Sequence, residues 1–303
     1  MNRQFEPMLA YQENPDLTAL AYPKLVSLKI DGFRCLIRNG LPMTRELKII
    51  RNRHIRKAMQ GMPDGSDGEL IVGAPTDPDV FNKTQRAVTT EAGQPDFSYW
   101  VFDDFSVPGE PFRMRLERLK QKLAGVDLPW LRIVAQRPAY GHAEIEPWMD
   151  QAVAAGYEGL ILRDPEGHYK FGRSTLKEEL LLKFKRWHDS EGVIVGCYEQ
   201  RKNTNVAETS ATGKTKRSTK KAGMVPAGTL GGVHVLWHNG RDKVVFDLAV
   251  GGTDAYAQEL WDTRAELHGK LVSFKYQRIG SKGKPRHPTW KGLRSKDDVG
   301  SSA

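Results

Sequence analysis

The stretch Lys29-Ile30-Asp31-Gly32-Phe33-Arg34 places a lysine at the end of the apolar run KLVSLKI, an Asp-Gly pair directly behind it, and an arginine two residues past the glycine. Asp-Gly between apolar, β-rich runs signals a hairpin, so Lys29 and Arg34 are predicted to project from neighbouring paired strands. A lysine held on a rigid strand acts as a covalent nucleophile once its surroundings lower its pKa. Six residues alone would equally suit a surface hairpin with scattered charges. The rest of the chain separates these readings.

Around this stretch, β-rich runs recur at 24–30, 33–38, 68–73, 98–105, 130–135, 159–163 and 180–186, with helical patterns between them. Over 112–124 the helical period sets Met114, Leu116, Leu119 and Leu123 near one face. A second helix is predicted over 144–155, ended by Gly156. The texture changes near 187–190. Beyond it, EGVIVGCY, GTLGGVHVLW, KVVFDLAVG and KLVSFKYQRIG are short β-rich segments with a helical patch at 254–268. Several strands and one helix fit a small barrel of the OB kind, though a β-sandwich has similar spacing. The expected class is α+β, with one domain over 1–187 and a second over 188–303.

Composition narrows the function. Two distant cysteines, Cys35 and Cys197, exclude a disulfide framework or a Cys-rich zinc site and suit a reducing compartment. The opening MNRQFEPMLAYQENP lacks the apolar core of a signal peptide, and no run reaches the length of a membrane span. A soluble, cytoplasmic protein with no membrane partner is expected. The formal net charge of +9 is uneven: residues 1–187 hold 27 Lys+Arg against 25 Asp+Glu, and residues 188–303 hold 19 against 12. A basic module joined to a near-neutral one suggests a polyanion, most simply nucleic acid. The segment 201–228 concentrates this charge in Arg201, Lys202, Lys214, Lys216, Arg217, Lys220 and Lys221, against Glu208 alone. Poor in apolar groups, it reads as a flexible insertion that contacts phosphates.

Further groups follow Lys29 in a fixed order: Thr44-Arg45, Asp67-Gly68-Glu69-Leu70, Tyr99-Trp100-Val101-Phe102-Asp103, Glu158-Gly159-Leu160-Ile161-Leu162-Arg163 and Leu182-Lys183-Phe184-Lys185. Lys183 and Lys185 alternate with apolar residues and face one way. Attack of an amine on a nucleotide α-phosphate needs a nucleophile, cations, carboxylates for a metal and a flat apolar face for the base. Lys29 offers the amine. Lys183 and Lys185 offer charge and are predicted to depress the pKa of Lys29. Glu69 and Glu158 offer hard oxygen ligands for Mg²⁺, with Mn²⁺ as a substitute. Phe102 offers a stacking face, and Arg34 and Arg45 offer donors for ribose or phosphate. Asp103 and Asp104 read as salt-bridge partners at a strand end rather than as metal ligands.

These motifs, with Phe5-x-Pro7-Met8-Leu9-Ala10 ahead of them, resemble those of the covalent nucleotidyltransferases. The chain over about 5–298 resembles a compact ATP-dependent DNA ligase of bacteriophage type. The resemblance implies that Lys29 is adenylylated by ATP and that Arg34 and Glu69 meet the AMP ribose. It implies that Arg45 meets phosphate, Phe102 stacks on adenine, Glu158 helps hold the metal, and Lys183 and Lys185 meet the α-phosphate. Arg294 and Lys296, in KGLRSKDD, stand where the family's last motif orients pyrophosphate, although many relatives read Arg-x-Asp-Lys there. Ser27 stands where several relatives carry a glutamate near the adenine amine. The implied partner is nicked duplex DNA, bound by a monomer in replication, repair or recombination. RNA ligases and mRNA-capping guanylyltransferases share the lysine motif, and a non-catalytic nucleic-acid-binding protein could keep the shape of the site. NAD⁺-dependent ligases carry an extra N-terminal domain and a Cys-rich zinc module that do not fit here.

Overall fold

The computed structural model describes residues 4–280 and 282–294. In chain order the regular elements are β1 (Lys24–Lys29), β2 (Phe33–Arg38), β3 (Leu41–Thr44), α1 (Arg53–Ala58), β4 (Ser66–Val72), α2 (Val80–Thr89), β5 (Phe97–Asp104), α3 (Phe112–Lys122), β6 (Leu131–Ile133), β7 (Arg137–Ala139), α4 (Ile145–Ala154), β8 (Gly159–Arg163) and β9 (Leu181–Lys185). Then come β10 (His188–Asn203), β11 (Ala207–Thr209), β12 (Thr215–Arg217), β13 (Met224–His238), β14 (Lys243–Ala249), α5 (Asp254–Asp262), β15 (Leu271–Tyr276) and β16 (Thr289–Arg294). Two compact units result. One runs up to Arg186 and includes Ser210–Lys214; the other comprises Trp187–Thr209 and the chain from Thr215 onward. Among the described residues no helix is long and apolar enough to cross a membrane.

The first unit is α+β with two sheets, ordered β7-β1-β8-β9 and β3-β2-β4-β5-β6. All pairings in them are antiparallel except β5 with β6. This corrects the predicted hairpin, because β1 and β2 lie in different sheets. The Asp-Gly pair carries the chain from one to the other. A Cβ on Gly32 would come within 2.3 Å of the Leu70 carbonyl and 2.4 Å of the Ile71 side chain, so the crossing hugs β4 and admits only glycine. Hairpin chemistry and a close crossover ask for the same residue, and sequence cannot separate them.

Each sheet has its own core. Cys35, Ile37, Leu70, Tyr99 and Val101 pack with Ile55, Val88 and Leu119 from α1, α2 and α3. Val26, Leu160, Leu162 and Leu182 pack with Ile145, Met149 and Ala152 of α4. A small third cluster, Ile30, Ile71, Val80 and Val134 with Trp100 and Phe102, lies directly after Lys29. In α3 the buried face is Phe112, Arg115, Leu116 and Leu119, with Leu123 following, whereas Met114 is 45% exposed. The expected stripe therefore turns away from Met114. It does so because Arg115 points inward, where a buried acid satisfies it.

In the second unit an antiparallel sheet runs β14-β13-β10-β15-β16, with α5 against it. Its core gathers Ile194, Val233, Val235, Trp237, Phe246, Val272 and Phe274. The segment 201–228 is folded rather than irregular. Strands β10 and β13 stay paired out to Asn203↔Met224, and β11 and β12 form a small hairpin beyond them. Apolar burial does not hold it. Backbone pairing does, with Asn203 Nδ2 donating to Ser218 O at 2.9 Å and Asn205 Nδ2 donating to Ser218 O at 2.8 Å. Short polar side chains thus replace a core, a device composition does not reveal.

Candidate active site

Lys29, Gly159 and Lys185 share one rung across three strands. Lys29 closes β1, Gly159 opens β8, and Lys185 closes β9. A Cβ on Gly159 would lie 2.3 Å from the Phe184 carbonyl, so the central position of the rung must be glycine. Glu158, just before it, reaches both lysines: each Nζ donates to a different carboxylate oxygen. Glu158 and Lys185 are buried, and the Lys29 side chain keeps 22% of its exposure, enough to meet a ligand. Lys183 sits two residues back on β9, half-buried. Asn14 Nδ2 donates to Lys185 O at 2.7 Å, and its Oδ1 accepts from Lys185 N at 3.0 Å, which fixes the end of β9. No sequence signal marks Asn14.

The electrostatics overturn one expectation. Burial pulls the Lys29 ammonium down, but Glu158 outweighs it and the net shift is upward. The neighbouring lysines do not depress it, because Glu158 stands between them. Lys185 is lowered, chiefly by burial and with Lys29 adding to it. Lys183 is lowered by burial, then by Lys185 and Lys29. Burial would raise Glu158, yet the two ammoniums bring it to about 2. Three lysines around one carboxylate leave positive charge for an anion.

Across from this rung lies the second sheet. Arg34 and Glu69 are register partners on β2 and β4. Arg34 makes a two-pronged bond to Asp67, which also accepts from the Tyr169 hydroxyl at 2.7 Å. The guanidinium lies 4.7 Å over the Phe102 ring. Lys29, Arg34, Glu69, Phe102 and Ile161 line one cavity of about 150 Å³, together with Leu9 and Ala10. A wider groove of about 550 Å³ continues past Arg34 and Glu69 to exposed Arg45 and Arg51. Most of the predicted set therefore converges: Lys29, Arg34, Glu69, Phe102, Glu158, Lys183 and Lys185, with Arg45 farther out.

Two buried groups, Asp67 and Asp103, do structural work behind this wall. Asp67 orients Arg34, a role that its place in DGEL does not announce. Asp103 is fully buried between Arg115 and Arg163, the ion pairing expected of it. Arg163 in turn lies 5.5 Å over Phe102.

Glu69 differs from Glu158. Burial raises it to about 7, and Arg34 and Lys29 offset this only in part. Among the described residues no cluster of three or more His, Cys, Asp or Glu could hold a metal ion by protein atoms alone. Magnesium commonly takes one or two carboxylates and completes its shell with substrate phosphates and water. A half-buried carboxylate short of positive charge, facing an open groove, fits that role. Because its folded pKa lies above the ordinary 4.5, Glu69 costs stability increasingly from pH 4.5 up through pH 7. Glu69→Gln is expected to melt higher than the wild type at pH 8, with the gap closing near pH 5. Thermal melts at the two pH values check this.

The remaining predicted residues belong elsewhere. Arg294 lies on β16 in the second unit, where its Nε donates to Glu191. Lys296 lies outside the described residues. In the basic segment Arg201, Lys202, Lys214, Lys216, Arg217, Lys220 and Lys221 are all exposed. Lys214, grouped with the first unit, pairs with Glu6 at 2.9 Å. Arg201 donates to Met224 O and Arg217 to Asn205 O.

Known proteins resemble this chain. The family described as "ATP dependent DNA ligase domain" matches residues 7–185, and "DNA ligase OB-like domain" matches 223–294. A solved Chlorella virus DNA ligase-adenylate is 29% identical, over 97% of this chain and 99% of that one, with a TM-score of 0.54. A structure from a study of Lig E DNA ligases has a TM-score of 0.72 at 22% identity, over 95% of this chain and 99% of that one, a likeness of fold. No curated protein matches by sequence. A family match over more than half of the chain, on a nucleotidyltransferase unit followed by an OB-like one, makes this protein a member of the ATP-dependent DNA ligase family.

Proposed function

We propose that the protein seals nicks carrying a 5′-phosphate and a 3′-hydroxyl in duplex DNA, through an AMP carried on Lys29, in replication, repair or recombination. The observation that carries this reading is the rung of Lys29, Gly159 and Lys185 tied by Glu158. Lys29 Nζ loses its proton and attacks the α-phosphorus of ATP; a P–N bond forms, a P–O bond breaks and pyrophosphate leaves. The 5′-phosphate at the nick then takes the AMP and frees the lysine. The 3′-hydroxyl attacks that activated phosphate and AMP departs. Lys183 and Lys185 receive the α-phosphate charge, and Phe102 and Ile161 enclose the base. Arg34, set by Asp67, meets the ribose, and Arg45 meets phosphate at the outer end of the groove. Mg²⁺, or Mn²⁺, would be held by Glu69 and Glu158 with phosphate oxygens, and bound there it supplies further neutralisation of phosphate charge. Arg294 would serve pyrophosphate departure. The adenylylation work belongs to 1–187 and duplex binding draws on 188–303. The test is ATP-dependent sealing of a nicked duplex, run beside GTP, NAD⁺ and a nicked RNA. Sealing of RNA only, or labelling by GTP only, would move the protein to a sister activity.

The exposed basic arm over 201–228 suits the DNA backbone. Each DNA phosphate that the arm no longer neutralises reduces the slope of log binding constant against log salt by about 0.9. Converting Lys216, Arg217, Lys220 and Lys221 to glutamine is expected to weaken nick binding and flatten that slope by up to about 3.6, leaving self-adenylylation intact. Binding measured at several salt concentrations checks it, and an unchanged slope removes the arm from the DNA interface.

A further inference from the structure

The opening motif Phe5-x-Pro7-Met8-Leu9-Ala10 supplies no reacting group, yet Leu9 and Ala10 line the cavity that also holds Lys29 and Arg34. Tyr169, in the connection between β8 and β9, fixes this wall. Its hydroxyl accepts from Met8 N at 3.1 Å and donates to Asp67 Oδ2 at 2.7 Å. The direction is forced, because a backbone N–H only donates and an arginine-paired carboxylate only accepts. Asp67 holds the Arg34 guanidinium by two bonds, and Arg34 Nη2 donates onward to Met8 O at 3.3 Å. The contacts thus close into a ring through Tyr169, Asp67, Arg34 and both polar groups of the Met8 backbone. Met8, Asp67 and Tyr169 are all buried. Leu9 N donates to Gly172 O and Ser174 N to Leu9 O, both at 2.8 Å, so the wall is stitched along the segment that carries Tyr169. Tyr169 is itself set by its N–H donating to Pro108 O at 2.7 Å and by the Phe105 ring 5.7 Å away.

We propose that Tyr169 is a positioning residue for the nucleotide, its hydroxyl joining Arg34 and the Met8–Ala10 wall into one frame. The inference rests on the cavity being the ATP site with Arg34 at the ribose. Tyr169 lies behind the cavity lining and acts only through what it holds. Two tethers limit the Arg34 fork, Asp67 on one side and the Met8 carbonyl on the other, and the Tyr169 hydroxyl ties these two tethers together. Without it, Asp67 keeps one fewer donor and the Met8 N–H is left enclosed without a partner, so the fork and the wall shift independently. A site whose donors are held in place by a supporting layer binds without first having to order them. The fork and wall grip the nucleotide before and after the phosphorus is attacked. Their looseness therefore falls on binding, whereas Lys29, Lys183 and Lys185 stay where they are.

The test is Tyr169→Phe, which keeps the ring and loses only the hydroxyl, assayed in the full chain for self-adenylylation by ATP and by 2′,3′-dideoxy-ATP. KM for ATP is expected to rise about five- to ten-fold, the worth of roughly one buried hydrogen bond, with kcat held within about two-fold. KM for the dideoxy nucleotide, which has no ribose hydroxyl for Arg34 to meet, should rise only about two-fold, the share of the wall. Arg34→Lys, which keeps a charge for Asp67 but not the fork, should show the same split, and adding Tyr169→Phe to it should cost no more than about two-fold. The enclosed Met8 N–H should lower the melting temperature of Tyr169→Phe by roughly 2–4 °C, and the assays are run well below it. An equal rise on both nucleotides, or a rise undiminished in the Arg34→Lys background, makes Tyr169 a purely structural residue and overturns the assignment. Wild-type protein that takes no AMP from ATP overturns the reading of the site, and this inference falls with it. Wild-type labelling with an unchanged KM in Tyr169→Phe overturns the inference alone.

Discussion

Lys29→Ala is expected to abolish self-adenylylation and to lower ATP-dependent sealing by on the order of 10⁶-fold, the scale seen when a covalent nucleophile is removed. No neighbour can take its place. Lys185 is buried against Glu158. Lys183, two residues further back on β9, is half-buried, and β9 lies across β8 from Lys29. The loss should fall on chemistry and not on folding. Alanine removes one of the two ammoniums on Glu158, and Lys185 remains to hold the carboxylate. A nick supplied already adenylylated bypasses the step that needs the amine, so the variant should still join it. Intact-protein mass after incubation with ATP reads the first part, since the wild type gains the mass of AMP and the variant does not. An adduct on the variant would move the nucleophile elsewhere.

The largest effect on stability is expected at Asp103. Its carboxylate accepts from Arg115 Nε at 2.8 Å and Nη2 at 3.2 Å, and from Arg163 Nη1. Both arginines are buried, with Arg115 held further by the carbonyls of Glu110 and Gly167. Asp103→Ala removes the carboxylate that pairs with two enclosed guanidinium charges, a loss of about 3–5 kcal/mol in comparable buried pairs. Burial alone would raise the Asp103 carboxyl, but Arg163 and Arg115 bring it below the ordinary 3.8. Its contribution is therefore present above that value and lost as pH falls through the lowered one. Urea unfolding at neutral pH checks the magnitude; a change below about 1 kcal/mol would mean that water reaches the arginines. Activity should fall with the fold, since Arg163 backs the Phe102 ring.

Much of the candidate site is legible in the sequence because it rides on strands. Lys29, Glu69, Phe102, Glu158, Lys183 and Lys185 stand at or beside strand positions whose β-rich runs and turn residues are plain in the chain. Asn14 is not legible. Its role depends on a backbone 171 residues away in the chain. The charge state of Lys29 escapes the sequence for a related reason. Counting lysines predicts a lowered pKa, but the outcome depends on which cation the single carboxylate touches, and it touches two.

By itself the sequence determined the α+β class, the order of the chemical groups, the basic second half and the candidate nucleophile, because strand period, turn residues and charge are local properties. Tertiary structure decided that Asp31-Gly32 is a crossing between sheets and not a hairpin, since only the position of Leu70 and Ile71 distinguishes them. It decided that the basic segment folds as paired strands, through backbone bonds that no apolar pattern announces. It also decided that Glu158 binds Lys29 and Lys185 together, because one rung across three strands brings residues 29, 159 and 185 side by side.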